Sequence, residues 1–240
     1  MKLSVTNLYT ALGGSTNSSL YKSYANFMES LRLKLRRWNL RHKGVEILKS
    51  YHKACDEAGI KCWLDFGTLL GAYREKGFIA HDFDLDVSMM AEDYNDKVIK
   101  CLIANGFVLD HEFFLVNKLS GEKLICEATY KYKGFPIDIF FSRVKDGRRQ
   151  CYVFIIEDDL AEDERAVNLY EFDPVENLED LYVYGNRFNG PTNTVNVLET
   201  IYGSGFMIPD PNWQTASPKN KRVHRLDISE YFGKCVKHSN

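Results

Sequence analysis

Long apolar runs are missing from this 240-residue sequence. The longest, such as Tyr152 to Ile156, fall far short of the roughly 20 residues that span a bilayer. The start, Met1-Lys2-Leu3-Ser4-Val5, carries no apolar core of signal-peptide length. Both readings place the protein in the cytoplasm. There is no excess of positive charge either: 31 Lys and Arg stand against 33 Asp and Glu, a net charge of −2. Nucleic-acid binders draw most of their affinity from phosphate contacts made by basic stripes, so no nucleic-acid partner is expected. Six cysteines are present, but they are scattered, with no Cys-x-x-Cys and no paired histidine beside them. That pattern excludes a zinc cluster and a small disulfide scaffold, and the thiols read as incidental core residues.

What is present is ordinary globular composition, with 45% hydrophobic and 27% charged residues, enough for a sizeable core. Residues 1 to about 20 are rich in Ser, Thr, Asn and Gly and read as a loose arm. Residues 21–42 place Leu31, Leu35 and Trp38 at helical spacing among Arg32, Lys34, Arg36, Arg37 and Arg41. This stretch is either a solvated surface helix or, through residues 31–43, a peripheral contact with an anionic membrane at its inner face or with a lipid-linked acceptor. The alternation Leu31, Leu33, Leu35 also fits a strand. Val45 to Ala58 is an amphipathic helix stopped by Gly59.

Downstream, Ile60 to Asp65 reads as a strand, Thr68 to Glu75 as a helix and Ile79 to Met89 as a strand. A helix follows over Asp93 to Asn105, then a hairpin of Lys123–Lys131 and Phe135–Arg143 across Lys133-Gly134, and a strand at Tyr152–Glu157. Beyond Val175 the pattern weakens: Asn186 to Pro191 reads as loop, and Thr194 to Tyr202 as a helix before Gly203. The expected class is α/β (α+β), a mixed central sheet flanked by helices with a less regular C-terminal part.

The chemistry concentrates in Asp82-Phe83-Asp84-Leu85-Asp86-Val87. On a strand, the three acids would share one face and the apolar residues the other. Carboxylates so close repel and raise one another's pKa, which a divalent cation would relieve. An EF-hand loop would need glycine and glutamate at its sixth and twelfth positions, where Val87 and Asp93 stand. An ordinary acidic edge strand is the plainer alternative. Two neighbours weigh against it: Gly67-Thr68 opens a helix whose amides can meet phosphate, and Asp138 sits alone in the apolar run Pro136-Ile137-Asp138-Ile139-Phe140. If the two strands adjoin, Asp84, Asp86 and Asp138 converge on a site able to hold two magnesium ions.

Glycine with Ser or Thr, an Asp-x-Asp strand and a later lone Asp resemble the nucleotidyltransferase superfamily related to polymerase β. Asp65-Phe66-Gly67-Thr68-Leu69-Leu70-Gly71-Ala72-Tyr73-Arg74, Gly77-Phe78-Ile79 and the acidic triplet are similar to the LicD family of phosphocholine and ribitol phosphate transferases. Tyr202-Gly203, Pro209 and Pro191-Thr192-Asn193 resemble its C-terminal segment, so the likeness covers roughly residues 45–225. It implies a nucleotidyltransferase fold over 44–240, preceded by an arm and basic helix over 1–43. It also implies Mg²⁺ or Mn²⁺, two ions, held by the catalytic Asp84, Asp86 and Asp138, with Asp138 as proton acceptor. Gly67 and Thr68 would meet donor phosphate; Arg74 would neutralise the donor or cap its own helix. Asp82 matches the first acid of the triplet, with its role open. His81 stands where relatives commonly carry an aromatic, and is not assigned to catalysis. Tyr202, Arg222 and His224 are candidates for substrate contact, and Trp213 and Phe206 stack on a base or fill the core. The implied reaction passes a phospho-alcohol from a CDP-alcohol to a glycan or glycolipid hydroxyl. A true nucleotidyltransferase acting on a small molecule or RNA is the alternative, and a ligand-binding module without turnover a third.

Overall fold

A computed structural model describes residues 18–210, 213 and 221–238. Most of the N-terminal arm expected over residues 1 to about 20 lies outside the described residues. The first element, α1 (Ser19–Ala58), is one continuous helix of 40 residues. It settles the alternation around Leu33 in favour of helix and runs unbroken through positions 43 and 44, where the sequence suggested a change of domain. Its end is built as expected: Gly59 takes a left-handed conformation (φ 74°), and its N–H returns to the Cys55 and Asp56 carbonyls. The C-terminal half buries Ile47, Leu48, Tyr51 and Cys55.

Strand β1 (Cys62–Leu64) leads into a short helix, α2 (Phe66–Leu70), and a π-helical turn over Gly71–Glu75. Then come β2 (Asp86–Met90) and α3 (Asp96–Ala104), the latter capped by Asn95, whose side chain accepts from the Lys97 and Val98 amides. Strands β3 (Phe107–Asn117), β4 (Lys123–Tyr132), β5 (Phe135–Lys145), β6 (Arg148–Ile155) and β7 (Glu164–Phe172) follow. Next are β8 (Leu178–Val183), β9 (Asn186–Pro191), α4 (Thr194–Tyr202), β10 (Val223–Arg225) and β11 (Tyr231–Lys237).

Nine strands form one sheet, in the order β1-β2-β5-β4-β3-β11-β7-β10 with β6 bridging β5 and β7. The pairings β5-β4-β3-β11-β7-β6 and back to β5 form a closed circuit. Among the described residues β2 with β5 is the one parallel pair, and the rest are antiparallel. The architecture is therefore mixed α/β with a large, mainly antiparallel sheet. One face of β2 and β5 presents Val87, Met89, Ile137, Ile139 and Phe141 to a core shared with α1 and α3. The other face carries the polar residues considered below.

Two expectations from sequence are corrected. Of the strand expected over Ile79–Met89, only Asp86–Met90 is extended in the sheet; residues 80–85 form turns and loop. Asp82, Asp84 and Asp86 therefore do not stack on one strand face. Residues Asn186–Pro191 are a strand and not a loop, paired with β8 across the Tyr184-Gly185 turn, where both residues have positive φ (48° and 76°). The 123–143 hairpin has the same kind of turn at Lys133-Gly134 (φ 48° and 80°). All six cysteines are free, and all but Cys101 are buried. Among the described residues no helix is long and apolar enough to cross a membrane.

Candidate active site

Asp65 stands between β1 and α2 and caps the helix. One of its carboxylate oxygens accepts the Phe66 amide at 3.0 Å, and Phe66 adopts a left-handed φ of 42°. Its other oxygen accepts from the Ser88 hydroxyl (2.8 Å), Arg149 Nη1 (3.2 Å) and the Trp63 indole (3.3 Å). Asp65 and Arg149 are both fully buried, and the guanidinium also lies 4.1 Å from the Phe172 ring centroid. This anchored turn directs the Gly67 N–H onto Asp86 Oδ2 at 2.9 Å, while the Thr68 hydroxyl accepts the Asp86 N–H at 2.9 Å. The pair expected to meet phosphate is thus engaged in holding Asp86. Gly67 still lines the adjoining cavity; Thr68 is buried behind it.

Asp86 sits opposite Asp138 in the parallel β2–β5 register, and Asp138 opposite Thr129 in β4–β5. The Thr129 hydroxyl donates to Asp138 at 2.5 Å. Asp82 and Asp84 come from the loop before β2. Asp82 Oδ2 and Asp86 Oδ2 converge over Gly67: a Cβ placed there would lie 2.8 and 3.1 Å from them. A bulkier residue would push the two carboxylates aside.

The electrostatics follow from crowding. Burial, then the neighbouring charges of Asp84, Asp82 and Asp138, push the Asp86 carboxyl well above the usual range, against the pull of the Gly67 amide. Asp84 is raised by burial and by Asp82, with the Arg36 guanidinium opposing. Asp138 is pushed up to about 6 by burial and by Asp84, although Thr129, His111 and Arg36 favour its charged form. A fifth acid, Glu127 on β4, is buried and raised by burial and by the charges of Asp138 and Asp84. Sequence reasoning missed it, although the signal was there: Glu127 is an acid inside an apolar strand, as Asp138 is.

So many buried oxygens with so little nearby positive charge suit hard divalent cations such as Mg²⁺ or Mn²⁺. Asp84, Asp86 and Asp138 are the residues that would hold them. Among the described residues no three acidic, His or Cys side chains stand in a ready-formed coordination cluster, so ions would have to draw the carboxylates inward.

A cavity of about 490 Å³ opens over this wall, within the size range of small-ligand sites. Asp82, Asp84 and Asp86 line one side, and Phe66, Phe140, Tyr202 and Trp213 contribute aromatic surface. The Tyr202 and Trp213 rings lie 4.7 Å apart. Burial and the Asp86, Asp82 and Asp65 charges hold the Tyr202 phenol well above its ordinary range. Arg74 also lines the cavity. Its Nη1 donates to the Phe206 carbonyl (2.9 Å) and its Nε to Glu75 (2.8 Å), so it pins the 206 segment and does not cap its own helix. His81 is exposed at the cavity edge, and its carbonyl accepts from Arg37 of α1 at 3.1 Å. Arg222 and His224 are not brought to this cavity. Pairing of β10 with β7 leaves Arg222 on Asp173 and Asn196, and His224 on Glu171.

Residues 59–167 match the family model described as "LicD/FKTN/FKRP, nucleotidyltransferase domain". The match takes in a little under half of the chain, and this segment is similar to the LicD family. The matched segment contains Asp65, Gly67, Arg74, all five acids of the cluster and Arg149; Tyr202, Trp213, Arg222 and His224 lie beyond it. Among curated proteins, the chain is similar to "Ribitol-5-phosphate transferase FKTN" of Mus musculus, at 25% identity over 80% of this chain and 39% of that protein. The Homo sapiens protein of that name is 24% identical over the same shares. "Lipopolysaccharide cholinephosphotransferase LicD" of Haemophilus influenzae is 44% identical over 50 residues, 21% of this chain and 19% of that protein. The chain therefore spans well under half the length of these LicD-family relatives.

Proposed function

We propose that this protein transfers a phospho-alcohol, such as phosphocholine or ribitol phosphate, from a CDP-linked donor to a sugar hydroxyl of a cell-surface glycan or glycolipid. The observation that carries the proposal is the Asp86–Asp138 register beneath a cavity lined also by Arg74 and six aromatic side chains. The similarity to a ribitol-5-phosphate transferase and a lipopolysaccharide cholinephosphotransferase supports the same reaction class. This reading has the reaction run in the cytoplasm, on a nucleotidyltransferase-type scaffold.

Divalent cations bound by Asp84, Asp86 and Asp138 would neutralise charge on the donor phosphates and the departing nucleotide. The chain's own residues account for the rest. Asp138, set opposite Asp86 on the neighbouring strand, is the residue that would take the proton of the acceptor hydroxyl. The Gly67 N–H orients the Asp86 carboxylate and the Thr68 hydroxyl fixes the Asp86 backbone, which limits reorganisation as charge shifts. Arg74 places positive charge on the cavity wall for the donor. Tyr202 and Trp213 offer faces for a base or sugar, and apolar walls at Phe66 and Phe140 limit competing attack by water.

The test is a titration of the purified chain, with and without Mg²⁺, against CDP-choline, CDP-ribitol, CDP-glycerol, CTP, ATP and UTP, with Asp84→Asn as control. Cation-dependent binding of a CDP-alcohol, lost in the variant and followed by CMP release with an acceptor, is expected. Preference for a triphosphate with pyrophosphate release would replace this reading with nucleotide addition.

A further inference from the structure

The N-terminal half of α1 carries an outward apolar stripe. Tyr24, Met28, Leu31, Leu35 and Trp38 recur at four- and three-residue steps, and Phe27 adjoins them. At 3.6 residues per turn these positions fall within about a third of the helix circumference. Phe27 and Leu35 are each 60% exposed, Trp38 53% and Leu31 43%, values far from those of core residues. The stripe is bordered by cations on both sides: Arg32 and Lys43 along one edge, Lys34 and Arg41 along the other. Between Ser19 and Lys43 the sole acid is Glu29, which gives this segment a strong positive charge on a chain whose net charge is −2.

We propose that this face of α1, from Tyr24 to Trp38, docks on an anionic lipid surface. Apolar side chains at the centre would enter the acyl boundary, while the flanking Arg and Lys side chains reach phospholipid headgroups. Charge complementarity selects this occupant over a second copy of the chain. Heptad-like spacing would permit helix pairing, but the positions flanking the seam are Arg32, Lys34 and Arg41, which would face like charges. The docking helix is also tied to the candidate site. Arg37 and Arg41 donate to the carbonyls of His81 and Ala80, each at 3.1 Å, immediately before Asp82. A docked helix therefore holds the loop that carries two of the cluster acids close to the lipid surface.

The experiment is co-sedimentation of the purified full chain with vesicles of phosphatidylcholine alone and of phosphatidylcholine mixed equally with phosphatidylglycerol, at low and high salt. Binding to the mixed vesicles that high salt weakens is expected. Leu31→Asn with Leu35→Asn, and separately Arg32→Glu with Lys34→Glu, should each weaken binding by roughly tenfold or more. All four residues are exposed, so unchanged thermal melting is expected and separates lost docking from lost folding. No binding, equal binding to neutral vesicles, or variants that bind as wild type would overturn the proposal. So would a wild-type dimer that the Leu31/Leu35 variant fails to form, because the face would then be an interface between copies. None of these readouts depends on turnover.

Discussion

Asp86 and Asp138 stand directly opposite one another on the parallel strands β2 and β5. Each is held by a neighbour that is not an acid: Asp86 by the Gly67 amide, Asp138 by the Thr129 hydroxyl. Asp86→Asn or Asp138→Asn keeps these hydrogen-bond geometries while removing a buried charge from the cluster. Turnover should fall by about 10² to 10³-fold or more, while the urea midpoint without divalent cation stays level or rises. CMP release and urea unfolding measure the two effects. Wild-type turnover in either variant would end the assignment of that carboxylate to the reaction.

Gly67 tests the spacing of the cluster separately from its charge. An alanine Cβ would press on Asp82 and Asp86 side-chain oxygens and not on backbone, so the fold should absorb it while the carboxylates are displaced. Gly67→Ala is expected to change stability by less than about 1 kcal/mol and yet to lower turnover and Mg²⁺ affinity together. Isothermal titration with Mg²⁺ and a denaturation curve would show whether the two effects separate.

The Asp65–Arg149 pair lies fully inside the protein, and among the described residues the Arg149 Nε and Nη2 atoms have no hydrogen-bond partners. Its function is structural, since it fixes the turn that presents Gly67. Arg149→Met leaves the Asp65 charge uncompensated and should cost about 3–5 kcal/mol. Combining it with Asp65→Asn should recover a substantial part of that loss. A chemical-denaturation double-mutant cycle reads the coupling, and simple additivity would show that the pair is not linked.

His52 on α1 predicts a pH dependence away from the carboxylates. Burial lowers its pKa from 6.5 to about 4, and its Nε2 has no partner among the described residues. Between those values the unfolded chain binds a proton that the folded chain refuses. The stability associated with neutral His52 is therefore fully present above 6.5 and lost as pH falls towards 4, on the order of 2–3 kcal/mol. His52→Leu should flatten that part of the stability–pH curve. An unchanged slope in the variant would assign the dependence to other groups.

Much of the site was legible in the sequence because its parts are short and chemically unusual: an acid in an apolar strand, a Gly-Thr turn, an Asp-x-Asp repeat. The conformation of residues 80–85 was not legible. Alternating Phe83, Leu85 and Val87 imitate a strand, but α1 lies beside this loop and takes the Ala80 and His81 carbonyls through Arg41 and Arg37. Strand β3 escaped detection because irregularities between Leu109 and His111 and between Phe113 and Phe114 break its alternation. Strand β9 is Asn- and Gly-rich, a composition with weak strand preference, and its pairing with β8 decides its state. Arg149 looked like one more surface arginine until the fold placed Asp65 beside it.

The parallel pairing of β2 with β5 has a consequence for biogenesis. A ribosome-bound chain that has emerged only as far as β4 carries Asp82, Asp84 and Asp86 but has no Asp138 to set against them. Closing that long loop is entropically slow compared with forming the neighbouring hairpins. The carboxylate cluster is therefore assembled late, after the hairpins around it and only once β5 has joined β2.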